Sequence, residues 1–201
     1  MHLFDFLFPP RVDQALIRDV SIDTFLQALR PHAVPTTPET VALLPFASAE
    51  VRAAIHEAKY HCSAHAFDLL GASVVEYLRD SDSELRKPVL VPIPLGRARR
   101  KERGYNQVEE VVMRASKELG IHMENDMLVR TRETASQVSL TREARRENMH
   151  GAFTCSRGGI DSKHTYILVD DVITTGATLQ SAIEALRAAG AIHIVPIALA
   201  H

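Results

Sequence analysis

Thr165-Tyr166-Ile167-Leu168-Val169 runs without a break into Asp170-Asp171-Val172-Ile173-Thr174-Thr175-Gly176-Ala177-Thr178. The first five residues are apolar or β-branched, the composition of a strand buried on both faces of a parallel sheet. Beyond Gly176, Leu179, Ile183 and Leu186 recur at helical spacing as far as Gly190, and Ile192 to Ala198 is a second apolar run. Strand, helix and strand at this spacing form a crossover unit of a parallel sheet, which sets the expected class as α/β.

The residues between strand and helix carry the chemistry. Ligands of open parallel sheets lie beyond the carboxyl ends of the strands, and a helix start presents unpaired N–H groups to an anion. The segment Ile173, Thr174, Thr175, Gly176, Ala177 and Thr178 therefore reads as a phosphate cradle. Gly176 is expected there because it tolerates positive φ and lets the backbone approach the anion. Asp170 and Asp171 would repel a bare phosphate, so they need sugar hydroxyls or a divalent cation as partners. Successive strand residues point in different directions, so one carboxylate is expected to meet the ligand and the other partly to orient the loop. The implied ligand is a ribose 5′-phosphate. The competing reading is a solvated acidic turn with helix-capping threonines.

Working outward, Val89-Leu90-Val91-Pro92-Ile93-Pro94 is a second buried strand, and it feeds a basic stretch predicted as a loop over 95–103. Arg97, Arg99, Arg100, Lys101 and Arg103 stand there against Glu102 alone. A loop at that strand end faces the same side as the cradle, and planar guanidinium groups suit the oxygens of pyrophosphate. Val108, Val111, Val112, Ala115 and Leu119 then predict a helix ending at Gly120, and Met127-Leu128-Val129 a short strand. Residues 131–148, with Arg142, Arg145 and Arg146, read as a polar loop able to close over a ligand. The two arginine clusters, with Tyr105 as the one aromatic between them, also fit a single-stranded nucleic acid track.

The N-terminal half reads as mainly helical, with an apolar opening stopped by Pro9-Pro10, helical spacing at Ile22, Phe25, Leu26 and Leu29, and a polar connector broken by Pro31, Pro35 and Pro38. Helices are predicted over 50–60 and 64–78, the latter with Gly71 inside it. The expected division is an N-terminal helical segment and linker over 1–40 and an α/β domain over 41–201. The 201 residues suit one such domain. Apolar runs are too short for membrane insertion, and Cys62 and Cys155 cannot build a disulfide scaffold, so a cytoplasmic setting is expected. The formal charge of -2 excludes a polycation, yet between Arg97 and Arg146 twelve Lys or Arg face eight acids. No Gly-Lys-Ser/Thr loop and no Gly-x-Gly-x-x-Gly is present. His61, Cys62 and His65 have ligand-like spacing, but a helix turn carrying them needs no metal.

The string from Ile167 to Thr178 resembles the fingerprint of the type I phosphoribosyltransferases. The ordered set Val91-Pro92-Ile93-Pro94-Leu95, Arg103-Gly104-Tyr105-Asn106-Gln107, Leu128-Val129-Arg130, Gln137-Val138-Ser139-Leu140, Arg145-Arg146-Glu147-Asn148 and Gly151-Ala152-Phe153 resembles the competence protein F group more narrowly, and Lys59-Tyr60 has a counterpart there. The resemblance implies that Asp170 and Asp171 serve ribose hydroxyls and Mg2+, that 173–178 hold the 5′-phosphate of phosphoribosyl pyrophosphate, and that Pro94, Leu95 and Gly96, through a non-proline cis peptide, meet the pyrophosphate with Arg97 and Arg99. Arg103 joins the acid pair as a catalytic candidate, because arginines stabilise a departing pyrophosphate while carboxylates offset positive charge developing on the sugar. Arg99, Arg100, Lys101, Tyr105, Arg142, Arg145 and Arg146 are the nucleic-acid candidates. The implied function is that of a phosphoribosyl pyrophosphate-binding accessory factor in DNA uptake and natural transformation, with single-stranded DNA and uptake proteins as partners. The alternative is an active transferase with an unidentified acceptor. Members of the group commonly open with a paired-cysteine zinc module, which this sequence lacks: Val12 stands where a cysteine is expected.

Overall fold

The computed structural model describes residues 11–81, 85–132, 149, 151–156 and 160–201. Two short helices, α1 (Val12–Ile17) and α2 (Ile22–Leu26), lead to strands β1 (His32–Val34) and β2 (Thr40–Leu44). Helices α3 (Ala49–Tyr60) and α4 (Ala64–Ser81) follow, then β3 (Pro88–Pro92), α5 (Arg97–Arg103), α6 (Gln107–Leu119) and β4 (His122–Met123). The chain continues through β5 (Leu128–Arg130), β6 (Phe153–Cys155), β7 (Thr165–Val172), α7 (Ala177–Ala188) and β8 (His193–Ala200). The main sheet has the order β1-β2-β8-β7-β3-β4, parallel except for β1, and β5 pairs antiparallel with β6.

The expected α/β class is what the chain adopts. β7 lies at the centre of the sheet, paired with β3 on one side and β8 on the other, and its alternation sorts the core into two faces. Ile167 and Val169 join the cluster that contains Val51, Ala54 and Ile55 of α3, Phe67 and Leu70 of α4, and Val108 and Val111 of α6. Tyr166 and Leu168 join the opposite cluster, with Leu179, Ile183 and Leu186 of α7 and Leu128 and Phe153 of the small sheet. Helices thus cover both faces, the arrangement that lets a parallel strand be apolar throughout.

Two expectations change. The polar connector holds β1 and the turn into β2, because Thr40-Val41-Ala42-Leu43-Leu44 is apolar enough to pair in parallel with β8 while Pro35 and Pro38 sit in the turn between strands. The basic loop is the helix α5, whose Arg, Ala, Lys and Glu are strong helix formers but polar all round, so that no apolar period marks it. Gly104, at φ +80°, ends it. The expected closing loop over 131–148 lies outside the described residues from 133 onward, as does the opening at 1–10.

The inward helices pack closely. A Cβ on Gly71 of α4 would sit 3.1 Å from Cβ of Arg114 and 3.4 Å from the Val111 carbonyl of α6. Gly71→Leu should therefore push α4 from α6 and lower stability by about 1–3 kcal/mol in urea unfolding, and an unchanged midpoint would contradict this close approach.

Candidate functional site

β7 continues three residues past the apolar run, so Asp170 pairs with Ala198 and Val172 with Ala200, and the two acids are themselves the end of the strand. Strand alternation then separates them. Asp171 follows Val169 onto the face of α3 and α6, and Asp170 follows Leu168 onto the face of α7.

Asp171 is held from three sides. Nζ of Lys59, in the last turn of α3, lies 3.0 Å from its Oδ2, and Nε2 of Gln107, in the first turn of α6, donates to the same oxygen at 2.5 Å. Its Oδ1 accepts from the Val172 N–H at 2.5 Å. Burial pushes this carboxyl up, but the Lys59 ammonium and these hydrogen bonds outweigh it, leaving the group below the ordinary Asp value. Asp170 has the opposite balance. Burial and the charge of Asp171 push it up to about 7, only partly offset by the Asp171 N–H, which donates to its Oδ1 at 2.9 Å, and by Lys59 and Arg130.

One cleft of about 180 Å3 gathers Asp170, Asp171 and Thr178 with Pro94, Leu95, Arg99, Gln107 and Arg130. Beside it, Asp170 also borders a smaller hollow lined by Thr174, Thr175, Gly176, Ala177 and Thr178. At the start of α7 the N–H groups of Thr174, Thr175, Gly176 and Thr178 have no acceptor among the described residues, while the Ala177 N–H makes a long contact of 3.4 Å to Thr175 Oγ1. A tetrahedral anion fits such a set of donors, and a sugar hydroxyl or cation fits the carboxyl beside it. Ile173 departs from the expected cradle: its N–H donates to the Ala200 carbonyl at 2.9 Å and its side chain is in the core, so it anchors the loop.

Gly176 has φ +74°, a backbone conformation that glycine adopts without a Cβ penalty. A Cβ there would meet Cγ2 of Thr36 at 2.6 Å, so the crowding comes from the β1–β2 turn rather than from an anion alone. That turn is clipped to α7: the Thr37 N–H donates to Gln180 Oε1 at 2.9 Å and the Thr37 carbonyl accepts from Arg187 Nη1 at 3.0 Å.

The basic residues divide. Arg99 borders the cleft, whereas Arg97 and Lys101 are exposed on α5 outside it, and Arg100 pairs with Glu109 at 2.5 Å. Arg103 does not line the cleft. It lies over the Tyr60 ring at 5.0 Å and donates to Gln107 Oε1 at 2.9 Å, and Gln107 in turn donates to Asp171. Tyr105 is likewise not an open stacking surface: its hydroxyl donates to the Ala58 carbonyl at 2.8 Å and accepts from the Cys62 N–H at 2.9 Å, and its ring meets Phe67 edge-on. Arg142, Arg145 and Arg146 lie outside the described residues. The expected cis peptide at Pro94-Leu95-Gly96 is absent: these bonds are trans, and Gly96 instead caps α5 while Asn106 Nδ2 holds the Ile93 carbonyl at 3.0 Å.

Lys59, Gln107 and Arg130 lie in stretches that carry the family resemblance but have no expected site role, since only packing shows which side chain of each stretch reaches the acids. Another cluster lies at the end of α3. Ligand atoms of His56, Glu57 and His61 lie within 4.8 Å of one another and could chelate a metal ion. Glu57 is buried, and a two-point grip by Arg11, at 3.0 and 2.7 Å, keeps its carboxyl below the ordinary range. His65 instead hydrogen-bonds the Ile17 carbonyl at 2.9 Å.

A family model described as the phosphoribosyl transferase domain matches residues 87–200, more than half of the chain, and the chain belongs to that family. It is 35% identical over 109 residues to Competence protein F of Haemophilus influenzae, covering 53% of this chain and 48% of that protein. It is 32% identical over 102 residues to DNA utilization protein YhgH of Escherichia coli K12, covering 51% and 44%, and 31% identical over the same span to the protein of that name in Salmonella typhi. The resemblance to the competence protein F group is thereby borne out, over matches that span about half the length of these relatives or less. Among the described residues, no helix is long and apolar enough to cross a membrane.

Asp170 makes stability fall as pH rises. Its folded value, near 7, lies above the ordinary 3.8, so the folded state binds the extra proton and the contribution is lost between about pH 4 and 7. Asp170→Asn should match the parent at pH 4 and exceed it by about 1–3 kcal/mol at pH 8; equal stability at both pH values would contradict a buried, uncompensated carboxyl.

Proposed function

We propose that the cleft at the end of β7 binds phosphoribosyl pyrophosphate with a divalent cation, and that the protein is a cytoplasmic accessory factor in DNA uptake. The observation that carries this reading is the meeting of a buried carboxyl pair, a row of acceptor-free N–H groups at the start of α7, and Arg99 with the Pro94-Leu95 turn around one cleft. Asp170 faces the sugar hydroxyls and the cation. The amides of 174–178 take the 5′-phosphate, and Arg99 and the turn after β3 take the pyrophosphate. Mg2+ would supply charge neutralisation to the pyrophosphate, and Asp170, raised toward neutrality by burial, is the donor whose charge such a cation restores. The names of the relatives support the DNA part, and Arg97, Arg99, Arg100 and Lys101 on the exposed face of α5 offer phosphate contacts.

A second reading, transfer of the phosphoribosyl group, draws support from a cavity of about 370 Å3 lined by Lys59 with Phe46, Tyr60, Arg52 and His56. It is room of the size an acceptor ring needs.

Calorimetry tests the binding reading. Phosphoribosyl pyrophosphate with Mg2+ should bind the intact protein, and Asp170→Ala with Asp171→Ala should weaken it at least tenfold; no binding by the intact protein overturns the reading. For DNA, replacing Arg97, Arg99, Arg100 and Lys101 by alanine should reduce the slope of log affinity against log salt for an oligonucleotide by about 0.7 for each phosphate that is no longer neutralised. An unchanged slope would remove α5 from the interface.

A further inference from the structure

We infer that His56, Glu57 and His61 form a binding site for a divalent transition metal of the Zn2+ type, with Arg11 and Asp13 of the α1 start as the outer ring that orients its ligands. The site is separate from the cleft at the end of β7, and it needs neither the phosphorylated ligand nor the cation proposed there.

His56 and Glu57 lie in the second half of α3, and His61 is the residue that ends it. Five positions along a regular helix turn a side chain by about 140°. The backbone leaves the helix at His61, with φ −128°, and the His56 and His61 rings meet edge to face with centroids 5.6 Å apart. Nε2 of His61 is 3.9 Å from Oε1 of Glu57, too far for a hydrogen bond, and one ligand atom from each of the three residues lies within 4.8 Å of the others. Ligand atoms that share one tetrahedral Zn2+ lie about 3.3 Å apart. Small turns of the two imidazoles, neither of them buried, close the cluster on an ion.

The way α1 holds these side chains sets them apart from three polar groups that merely meet. Arg11 reaches both oxygens of Glu57, Nε to Oε1 at 3.0 Å and Nη2 to Oε2 at 2.7 Å. Two residues on, Oδ2 of Asp13 lies 2.9 Å from Nδ1 of His56. A carboxylate has about four lone-pair sites, of which the guanidinium takes two. An imidazole that gives its Nδ1 proton to a carboxylate keeps Nε2 as a ligand, and ligating histidines and carboxylates are generally oriented by such outer partners. Glu57 is 1% exposed, so packing fixes it further. Two imidazoles and one carboxylate suit Zn2+ and its transition-metal neighbours, whereas Mg2+ prefers an octahedral shell of oxygens. Three protein ligands leave a fourth position for water, beside the cavity that His56 lines with Phe46 and Tyr60.

The test is a calorimetric titration of the metal-free full chain with Zn2+, and separately with Mg2+, without any phosphorylated ligand. One Zn2+ should bind per chain, on the order of a hundredfold tighter than Mg2+. Asp13→Ala, which reaches the ion only through His56, should weaken Zn2+ by about tenfold, and His56→Gln and His61→Gln should each weaken it by more. Asp170→Asn, in the other cleft, should bind Zn2+ as the parent does. Absence of Zn2+ binding by the parent overturns the inference, as does unchanged affinity in either folded histidine variant or loss of the Zn2+ site in Asp170→Asn. Circular dichroism reports folding. If His61→Gln, at the helix end, does not fold, His56→Gln and Asp13→Ala decide, and unchanged affinity in either overturns the inference.

Discussion

Two adjacent carboxyl groups at the end of a central strand cannot both be charged and buried without help, and much of the architecture around β7 supplies that help. Strand alternation sends one acid to each face. On the α3 and α6 side, Lys59 and Gln107 converge on Asp171 and keep it ionised. On the α7 side Lys59, Arg130 and the Asp171 N–H offset only part of the cost of burial and of the neighbouring charge, and Asp170 is pushed up to about 7. The division of labour follows from the pleat, since residues one apart on a strand cannot share a face.

The rest of the cleft is arranged about that strand end. The turn after β3 is held by Asn106, whose side chain caps α6 through the Val108 N–H and grips the Ile93 carbonyl with its other end. The loop before α7 is anchored by the Ile173 N–H on β8 and covered by the β1–β2 turn, which fills the space above Gly176. A site assembled from strand ends and helix starts, with each loop tied at both sides, keeps its polar groups in place before a ligand binds, and so spends little on ordering them afterwards. The helix α5 stands apart from this logic. It buries none of its residues, and while Arg99 borders the cleft and Arg103 reaches Gln107, Arg97 and Lys101 are exposed outside it.

The sequence exposed the centre of the fold more clearly than its margins. An unbroken apolar run such as Thr165 to Val169 has few uses besides a doubly covered strand, and the acids and threonines after it lie close together along the chain. Residues that reach the site over long sequence distances were hidden. Lys59 is 112 positions from Asp171, and although Lys59-Tyr60 has a counterpart in the resembling group, only the packing of α3 shows that it partners the acid. Gln107 belongs to the motif Arg103 to Gln107, but nothing in the spacing shows that the glutamine, rather than the arginine, touches the carboxylate. β1 and β2 were obscured by their prolines, which mark the turn and not the strands, and α5 by a polarity that leaves no periodic face.

The most direct measurement of the central claim is a crystal structure of the protein grown with Mg2+ and phosphoribosyl pyrophosphate. The account requires a phosphate at the backbone amides from Thr174 to Thr178, ribose hydroxyls against Asp170, and the pyrophosphate toward Leu95 and Arg99, with Gln107 still on Asp171. Ligand density in any other place, or an empty cleft at saturating ligand, would contradict it.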